Sequence, residues 1–210
     1  PYFGEIYGNP MSVHSFGREA RKGVEEARRQ VAAALNAEPS EIYFTGCGTE
    51  SDNWAIRGAA YANLRKGKHL ITTQIEHHAV LHTCEQLERE GFNVTYLPVD
   101  EFGVVRMDAL KAAIRPDTTL ISVMAANNEI GTIQPIEEIA KLAKERGILF
   151  HTDAVQAIGS LPFDVKAMGI DLLSLSGHKF HAPKGVGALY IRNGVRLQRL
   201  IQGGAQERTQ

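Results

Sequence analysis

The segment Asp171-Leu172-Leu173-Ser174-Leu175-Ser176-Gly177-His178-Lys179 shows most clearly which fold the sequence encodes. Residues 171–176 form a mainly apolar run, which predicts a strand buried on both faces of a sheet. Gly177 marks the end of that strand, and a histidine and a lysine follow it directly. The same order, a buried strand with polar groups at its exit, recurs along the chain and predicts an α/β fold.

Segments typical of helices and of strands alternate from one end of the chain to the other. Helices are predicted over 17–36, from Thr49 to about Lys66, over Val80–Glu90, in a short segment capped by Asp108 that ends before Pro116, and from Pro135 to Gly147. Strands are predicted at Glu41–Thr45, His69–Thr73, Asn93–Val99, Thr119–Ala125, Ile148–Thr152, Asp171–Ser176 and Val186–Ile191. Thr49 and Asp52 are expected to form a capping box. This alternation predicts a mainly parallel sheet covered by helices on both faces.

Composition is that of a globular protein and argues against several functions. The 210 residues are 43% hydrophobic and 22% charged, and 23 basic residues nearly balance 24 acidic ones. That balance argues against a nucleic-acid surface and against a polybasic membrane patch. No apolar stretch approaches the ~18 residues that span a bilayer, so no membrane partner is expected. Only Cys47 and Cys84 occur, which predicts no disulfide framework and a cytoplasmic, reducing compartment.

Polar clusters stand at five predicted strand exits. They are Gly46–Asn53, Glu76–His78, Asn127–Glu129, Asp153–Gln156 and Ser176–Lys179. In open parallel sheets, ligands bind beyond the carboxyl ends of the strands. The five clusters are therefore expected to converge on one rim and to form a single active site.

Two of these clusters suggest an anion site and a nucleophile. Glycines before a predicted helix, at Gly46 and Gly48, would expose N–H groups at the positive end of the helix dipole, although an ordinary loop with Thr49 as the cap fits as well. Lys179 is expected to be desolvated after its strand, which would free the amine as a nucleophile. A plain surface lysine is the alternative. Lys184, in a Pro/Gly turn, competes for the role and is expected to be exposed.

The remaining clusters suggest groups that hold a planar ring. Asp153 could keep a ring nitrogen protonated, or it could only cap the next turn. His77 could stack on a ring and exchange protons. His78 and His82, four residues apart on a predicted helix, could bind a metal ion. No His-Glu-x-x-His pattern accompanies them, so the interpretation as surface histidines is favoured. The Asn127-Asn128 pair could bind a phenolate or a substrate carboxylate, or form an Asx turn.

Read together, these strings resemble the cysteine desulfurases, and the branch that serves nitrogen fixation and iron–sulfur assembly in particular. The resemblance runs in order along the whole chain. The strings that carry it are Tyr7-Gly8-Asn9-Pro10, Thr49-Glu50-Ser51-Asp52-Asn53, Glu76-His77-His78, Asn127-Asn128-Glu129-Ile130-Gly131, Asp153-Ala154-Val155-Gln156, Ser176-Gly177-His178-Lys179, Pro183-Lys184-Gly185, and Gly203-Gly204 before Gln206-Glu207-Arg208.

The resemblance implies the aspartate-aminotransferase fold, fold type I, in a homodimer that uses pyridoxal 5'-phosphate (PLP). Residues 1–210 would be the PLP-binding large domain, incomplete at its N-terminus and without the small C-terminal domain. Lys179 would bond to PLP. The resemblance implies that Asp153 contacts the ring nitrogen of the cofactor and that His77 stacks on the ring face. Gln156 and Asn128 would contact the phenolic oxygen, and Asn128 would also lie near the substrate. The phosphate would be bound by Gly48, Thr49, Ser176 and His178.

The implied reaction removes sulfur from L-cysteine, leaving L-alanine and a persulfide that passes to a sulfur acceptor or iron–sulfur scaffold protein. The family's persulfide cysteine would lie beyond residue 210. Neither Cys47, expected to serve packing, nor Cys84 matches its position. Two alternatives stay open. One is another PLP enzyme of this fold, a selenocysteine lyase or an aminotransferase, and the other is an inactive piece that only binds a partner.

Overall fold

The computed structural model describes residues 1–204, 206 and 207, and its centre is a seven-stranded sheet. Arg208, one of the residues that carry the resemblance, lies outside this described part. The strands are β1 (Ile42–Thr45), β2 (His69–Thr73), β3 (Asn93–Leu97), β4 (Thr118–Ser122), β5 (Leu149–Asp153), β6 (Leu172–Ser176) and β7 (Gly187–Ile191). Their order across the sheet is β1-β7-β6-β5-β4-β2-β3.

One strand runs against the others. β7 is antiparallel to both β1 and β6, whereas every neighbouring pair from β6 to β3 is parallel. The prediction of a mainly parallel sheet is therefore confirmed. The connection from β6 to β7 is short: Ser176 and Gly187 are register partners, and the Gly177 N–H donates to the Val186 carbonyl at 2.9 Å.

Helices cover both faces of the sheet, as predicted. They are α1 (Ser15–Leu35), α2 (Gly48–Ala62), α3 (His78–Arg89), α4 (Met107–Ala113), α5 (Ile136–Glu145) and α6 (Val165–Met168). Helices α2 and α3 pack on one face around Trp54, Val80 and Leu87. Helices α1, α4, α5 and α6 pack on the other, with Phe150 at the centre of that core. None of the helices in the described part is long and apolar enough to cross a bilayer.

The predicted helix caps are wrong at two places. Helix α2 begins one residue before Thr49, because the Cys47 sulfur accepts a hydrogen bond from the Glu50 N–H at 3.4 Å. This start places Asp52 in the buried face of the helix, so it does not cap. Helix α4 has Arg106 at its N-cap, and Asp108 lies inside the helix and pairs with that arginine at 2.7 Å.

Other predicted bounds extend too far for local reasons. Helix α2 ends at Ala62 and not near Lys66, because the Asn63 side chain donates to the Ala59 carbonyl at 2.8 Å. Strand β4 ends at Ser122. Beyond it the Val123 and Ala125 N–H groups still donate to β5, at 3.1 and 2.8 Å, but the Ala125 carbonyl accepts from the Gln134 N–H of the following loop at 3.0 Å. Helix α6 and the two 3-10 turns, Pro39–Glu41 and Gly177–Phe180, were not predicted.

The core on the Phe150 face should dominate stability. Phe150 is fully buried on β5, so Phe150→Ala is expected to lower the free energy of unfolding by about 3–5 kcal/mol. Phe102 is 71% exposed, and Phe102→Ala should change it by less than about 0.5 kcal/mol. Urea denaturation of both variants measures this. Equal losses in the two variants would contradict the assignment of the core.

Candidate active site

A cavity of about 260 Å³ lies at the carboxyl edge of the sheet. It is bounded by residues that follow β1, β2, β4, β5 and β6, the five exits at which polar clusters were predicted. All nine predicted site residues line it: Gly48, Thr49, His77, Asn128, Asp153, Gln156, Ser176, His178 and Lys179. The structure thus brings the nine together. Cys47, Asp52, Met124, Ala126 and Val155 complete the wall.

One wall of the cavity is suited to an anion. Gly48 is buried at the first turn of the 15-residue helix α2, and a Cβ at this position would lie 2.7 Å from the Val155 Cγ2 atom and 3.2 Å from the Ser176 Cβ atom. Only glycine fits such a close approach. The N–H groups of Gly48 and Thr49 have no acceptor in the described part of the chain, as is usual at a helix N-terminus. Ser176 Oγ and His178 Nδ1, 3.0 Å apart, add polar groups beside them.

A buried carboxyl group forms another part of the cavity wall. Asp153 is the last residue of β5 and is 5% exposed. Its Oδ1 atom accepts a hydrogen bond from the Val155 N–H at 2.9 Å, so the turn-capping role foreseen as an alternative is also present. Burial raises the pKa of this carboxyl, and the Val155 N–H and the charges of His77 and Lys179 offset part of the rise. The ionised carboxylate would be stabilised further by a cation in the cavity.

His77 presents a ring of fixed orientation at the cavity wall. It is the N-cap of α3, and its Nδ1 atom accepts a hydrogen bond from the Ala79 N–H at 3.1 Å. In the neutral ring, the proton therefore lies on Nε2. His78 and His82 are stacked on each other outside the cavity, with ring centroids 5.0 Å apart. No group of three or more His, Cys, Asp or Glu side chains in the described residues could hold a metal ion.

Lys179 lies at the rim, and the predicted desolvation of its amine is wrong. The residue is exposed because the 3-10 turn Gly177–Phe180 carries it out of the sheet as soon as β6 ends. It nevertheless lines the cavity, and its charge acts on Asp153. Lys184 is exposed, as predicted, and does not line this cavity.

The neighbouring asparagines have different roles. The Asn127 Oδ1 atom accepts hydrogen bonds from the N–H groups of Glu129 and Ile130, at 2.9 and 3.0 Å, which is the Asx turn foreseen as an alternative. Its Nδ2 atom donates to the Ile75 carbonyl at 2.9 Å, so this amide is fully used in holding the loop. Asn128 is exposed and lines the cavity. Cys47 is also exposed there, so the expectation that it serves packing is wrong.

The sequence analysis placed two buried acids in the predicted polar clusters but gave neither of them a role in the site. Glu76 is 5% exposed and accepts hydrogen bonds from the Thr73 hydroxyl at 2.7 Å and from the Met124 N–H at 3.0 and 3.1 Å. It therefore links the exits of β2 and β4, and burial raises the pKa of its carboxyl to about 8. The available signal was an acid directly before His77. Asp52, three residues after Thr49, was interpreted as a cap although it lines the cavity.

Two solved structures superpose on the chain. A NifS-like protein has a TM-score of 0.96 and 48% identity, covering 99% of this chain and 57% of that one. A structure described as SspA in complex with cysteine has a TM-score of 0.96 and 46% identity, covering 100% and 61% respectively. The fold is therefore the fold type I architecture of NifS-like enzymes, as predicted.

The chain belongs to the aminotransferase class-V family, whose sequence profile matches residues 1–210. It is 64% identical over 208 residues to a cysteine desulfurase IscS from Methanosarcina thermophila and 63% identical over 208 residues to one from Clostridium botulinum. The predicted resemblance to cysteine desulfurases is confirmed. Both alignments cover 99% of this chain and 52% of the relative, so the chain spans about half the length of the curated relatives it matches.

Glu76 should give the fold a measurable dependence on pH. Its folded pKa of about 8 lies above the ~4.3 of an unfolded glutamate. The protonated carboxyl contributes its full stability below the unfolded pKa, and this contribution is lost as the pH rises through the folded one. Glu76→Gln stays neutral, so its free energy of unfolding should rise relative to that of wild type by roughly 3.5 kcal/mol between pH 5 and pH 8.

Chemical denaturation of the two proteins at several pH values between these limits measures that gain. Glu101 is exposed, so Glu101→Gln serves as the matched control and should show no such trend. A difference between Glu76→Gln and wild type that does not vary with pH would show that the Glu76 carboxyl is ionised throughout.

Proposed function

We propose that the full-length protein to which this chain belongs is a PLP-dependent cysteine desulfurase. It would remove sulfur from L-cysteine, giving L-alanine and an enzyme persulfide that is passed to a sulfur acceptor or iron–sulfur scaffold protein. The observation that carries the proposal is the meeting of four groups in one cavity: an anion-binding helix start, a buried carboxylate, an imidazole and a lysine. In this proposal, residues 1–210 belong to the large domain of a cytoplasmic homodimer.

The residues present fit the phosphate and the ring of PLP. Unpaired N–H groups of Gly48 and Thr49 at the α2 start, with Ser176 and His178 beside them, suit a phosphate dianion. Because Gly48 leaves no room for a Cβ, the backbone itself forms that part of the wall. The buried Asp153 carboxylate suits a protonated ring nitrogen, which would add a positive charge inside the cavity to those of His77 and Lys179.

The other lining residues complete the set. His77 would stack on the face of the ring, because its hydrogen bond to the Ala79 N–H holds the imidazole at the cavity wall. Gln156 and Asn128 would donate hydrogen bonds to the phenolic oxygen, and Asn128 would also face the substrate. Lys179 would bond to the cofactor from the rim, where its amine has room to exchange with an incoming substrate amine.

Bound PLP would supply an electron-withdrawing ring that stabilises negative charge at the substrate α-carbon. Asp153 would keep the ring nitrogen protonated, which the ring requires for that role. The Nε2 atom of His77, left available by the bond at Nδ1, and the released amine of Lys179 would move protons between substrate atoms. His77 and Asp153 would thus act with Lys179 as the catalytic residues.

The sulfur must pass to a thiolate, and Cys84 does not fit this role. Cys84 is buried in α3, and burial raises the pKa of its thiol to about 12, so it is neither accessible nor ionised. Cys47 lines the cavity but caps α2 through its sulfur. We therefore assign the persulfide to a cysteine in the half of the relatives' length that this chain does not span. L-cysteine as the substrate is supported by the similarity to cysteine-bound SspA.

Pyridoxal 5'-phosphate binding distinguishes the two candidate lysines. In the full-length protein, Lys179→Ala should abolish the visible absorbance that PLP gains when it bonds to a lysine. Lys184→Ala is the matched control, an exposed lysine outside the cavity, and should retain it. Borohydride reduction followed by peptide mass spectrometry locates the labelled residue. A label on Lys184, or unchanged absorbance in Lys179→Ala, would refute the assignment.

The reaction itself is tested by its products. With L-cysteine and a thiol reductant, the PLP-loaded full-length protein should release alanine and sulfide in equal amounts, and Asp153→Asn should bind PLP but lose most of this turnover. Turnover of selenocysteine alone would indicate a selenocysteine lyase, and transfer of an amino group to a keto acid would indicate an aminotransferase. Either result would overturn the proposed reaction while leaving the cofactor site intact.

A further inference from the structure

The wall of the cavity includes a buried carboxyl group that the proposed function does not use. Asp52, one turn into α2, is 1% exposed. Its Oδ1 atom has no hydrogen-bond partner among the described residues. That atom points at the Nε2 atom of His151, at a distance of 3.6 Å. A buried carboxyl oxygen without a partner is unfavourable, so its protonation state and its neighbours need a physical explanation.

His151 offers no positive charge to this carboxyl. The residue lies within β5 and is fully buried, and burial lowers the pKa of its ring to about 3, so the imidazole is neutral. Both ring nitrogens have hydroxyl neighbours: Ser122 Oγ lies 2.8 Å from Nδ1, and Ser174 Oγ lies 3.0 Å from Nε2. The ring therefore has one N–H and one lone pair to share among Ser122, Ser174 and Asp52.

Apart from His151, the titratable groups with the largest effect on Asp52 are all acids. They are Asp153 from β5, Glu76 from the loop after β2, and Cys47 from the start of its own helix. Burial and then the Asp153 charge raise the pKa of the Asp52 carboxyl well above its usual range, against a lowering by the Ser174 hydroxyl. The nearby cations, His77 and Lys179, act instead on Asp153.

We propose that Asp52 is a positioning residue: it remains a neutral carboxylic acid that donates its O–H to His151, so that Asp153 is the one charged carboxyl of the two in the cavity wall. This inference rests on the proposed function, because it concerns the charge offered to the ring nitrogen. Two ionised carboxylates side by side would compete for one ring cation. A neutral Asp52 removes that competition and gives the unpartnered oxygen a hydrogen bond.

The proposed bond fixes the rest of the network. The 3.6 Å separation exceeds a hydrogen bond, and closing it by less than about 1 Å forms one. If Asp52 donates to Nε2, the His151 proton must lie on Nδ1 and be donated to Ser122. The Ser174 hydroxyl is then available to donate to the second oxygen of Asp52, in agreement with its effect on that carboxyl.

Infrared spectroscopy of the apo full-length protein tests the protonation state directly. With aspartate labelled by ¹³C at the side-chain carboxyl, wild type at pH 7 should show a protonated-acid C=O band that shifts with the label. Asp52→Asn should lose that band, whereas Asp153→Asn should keep it. Glu76 cannot be the source of this band, because labelling of aspartate does not shift the band of a glutamic acid. Glu76→Gln is the matched control and should keep the label-sensitive band. Absence of a label-sensitive band in wild type, which needs no variant to fold, would overturn the proposal.

The second measurement is the pH titration of the visible absorbance of bound PLP. Asp52→Asn keeps a neutral group of the same shape. The midpoint of the absorbance titration should therefore stay close to that of wild type, with less than a twofold change in the proton affinity of the bound cofactor. A larger downward shift would mean that Asp52 contributes negative charge, and it would overturn the proposal. Failure of the full-length protein to desulfurate cysteine, with the labelled acid band present, would refute the proposed reaction and leave the neutral Asp52 in place.

Discussion

The burial of Asp153 at the end of β5 is the constraint on which the site depends. A carboxylate that is 5% exposed is strongly disfavoured unless positive charge and hydrogen bonds face it. The Val155 N–H, His77 and Lys179 supply part of that compensation from three different segments. The segments that bring these groups to one carboxylate also form the cavity, so the arrangement that stabilises the buried charge is the one that defines the site.

Sheet topology explains why the groups meet. The parallel pairing of β2, β4, β5 and β6 brings the ends of these strands to one edge, and β1 runs in the same direction because β7 is antiparallel to both of its neighbours. Residues far apart in sequence, from Gly48 to Lys179, thereby line a cavity of about 260 Å³. Glu76 strengthens this edge by joining the exits of β2 and β4 through Thr73 and the Met124 N–H.

Sequence alone predicted elements that carry a strong local pattern. Strand β2 was predicted with its observed bounds, His69–Thr73, because residues with a high strand propensity, from Leu70 to Thr73, follow the helix end marked by Gly67. The antiparallel direction of β7 is not encoded in its apolar run, which reads the same in either orientation. The predicted cap of α2 was wrong because the Cys47 side chain, and not that of Thr49, caps the helix. Asp52 therefore lies on the buried face of the helix. The exposure of Lys179 depends on a 3-10 turn that has no periodic signal.

The connection between β6 and β7 limits where its lysine can move. Lys179 stands in a loop closed at its base by the Ser176–Gly187 register pair and by the bond from the Gly177 N–H to the Val186 carbonyl. Closing so short a segment leaves its backbone few alternative paths. In the proposed function, the amine would thus be held beside the bound cofactor at a high effective molarity, although it remains exposed to water. Its reactivity would come from restricted translation and orientation, and it does not require the removal of solvent.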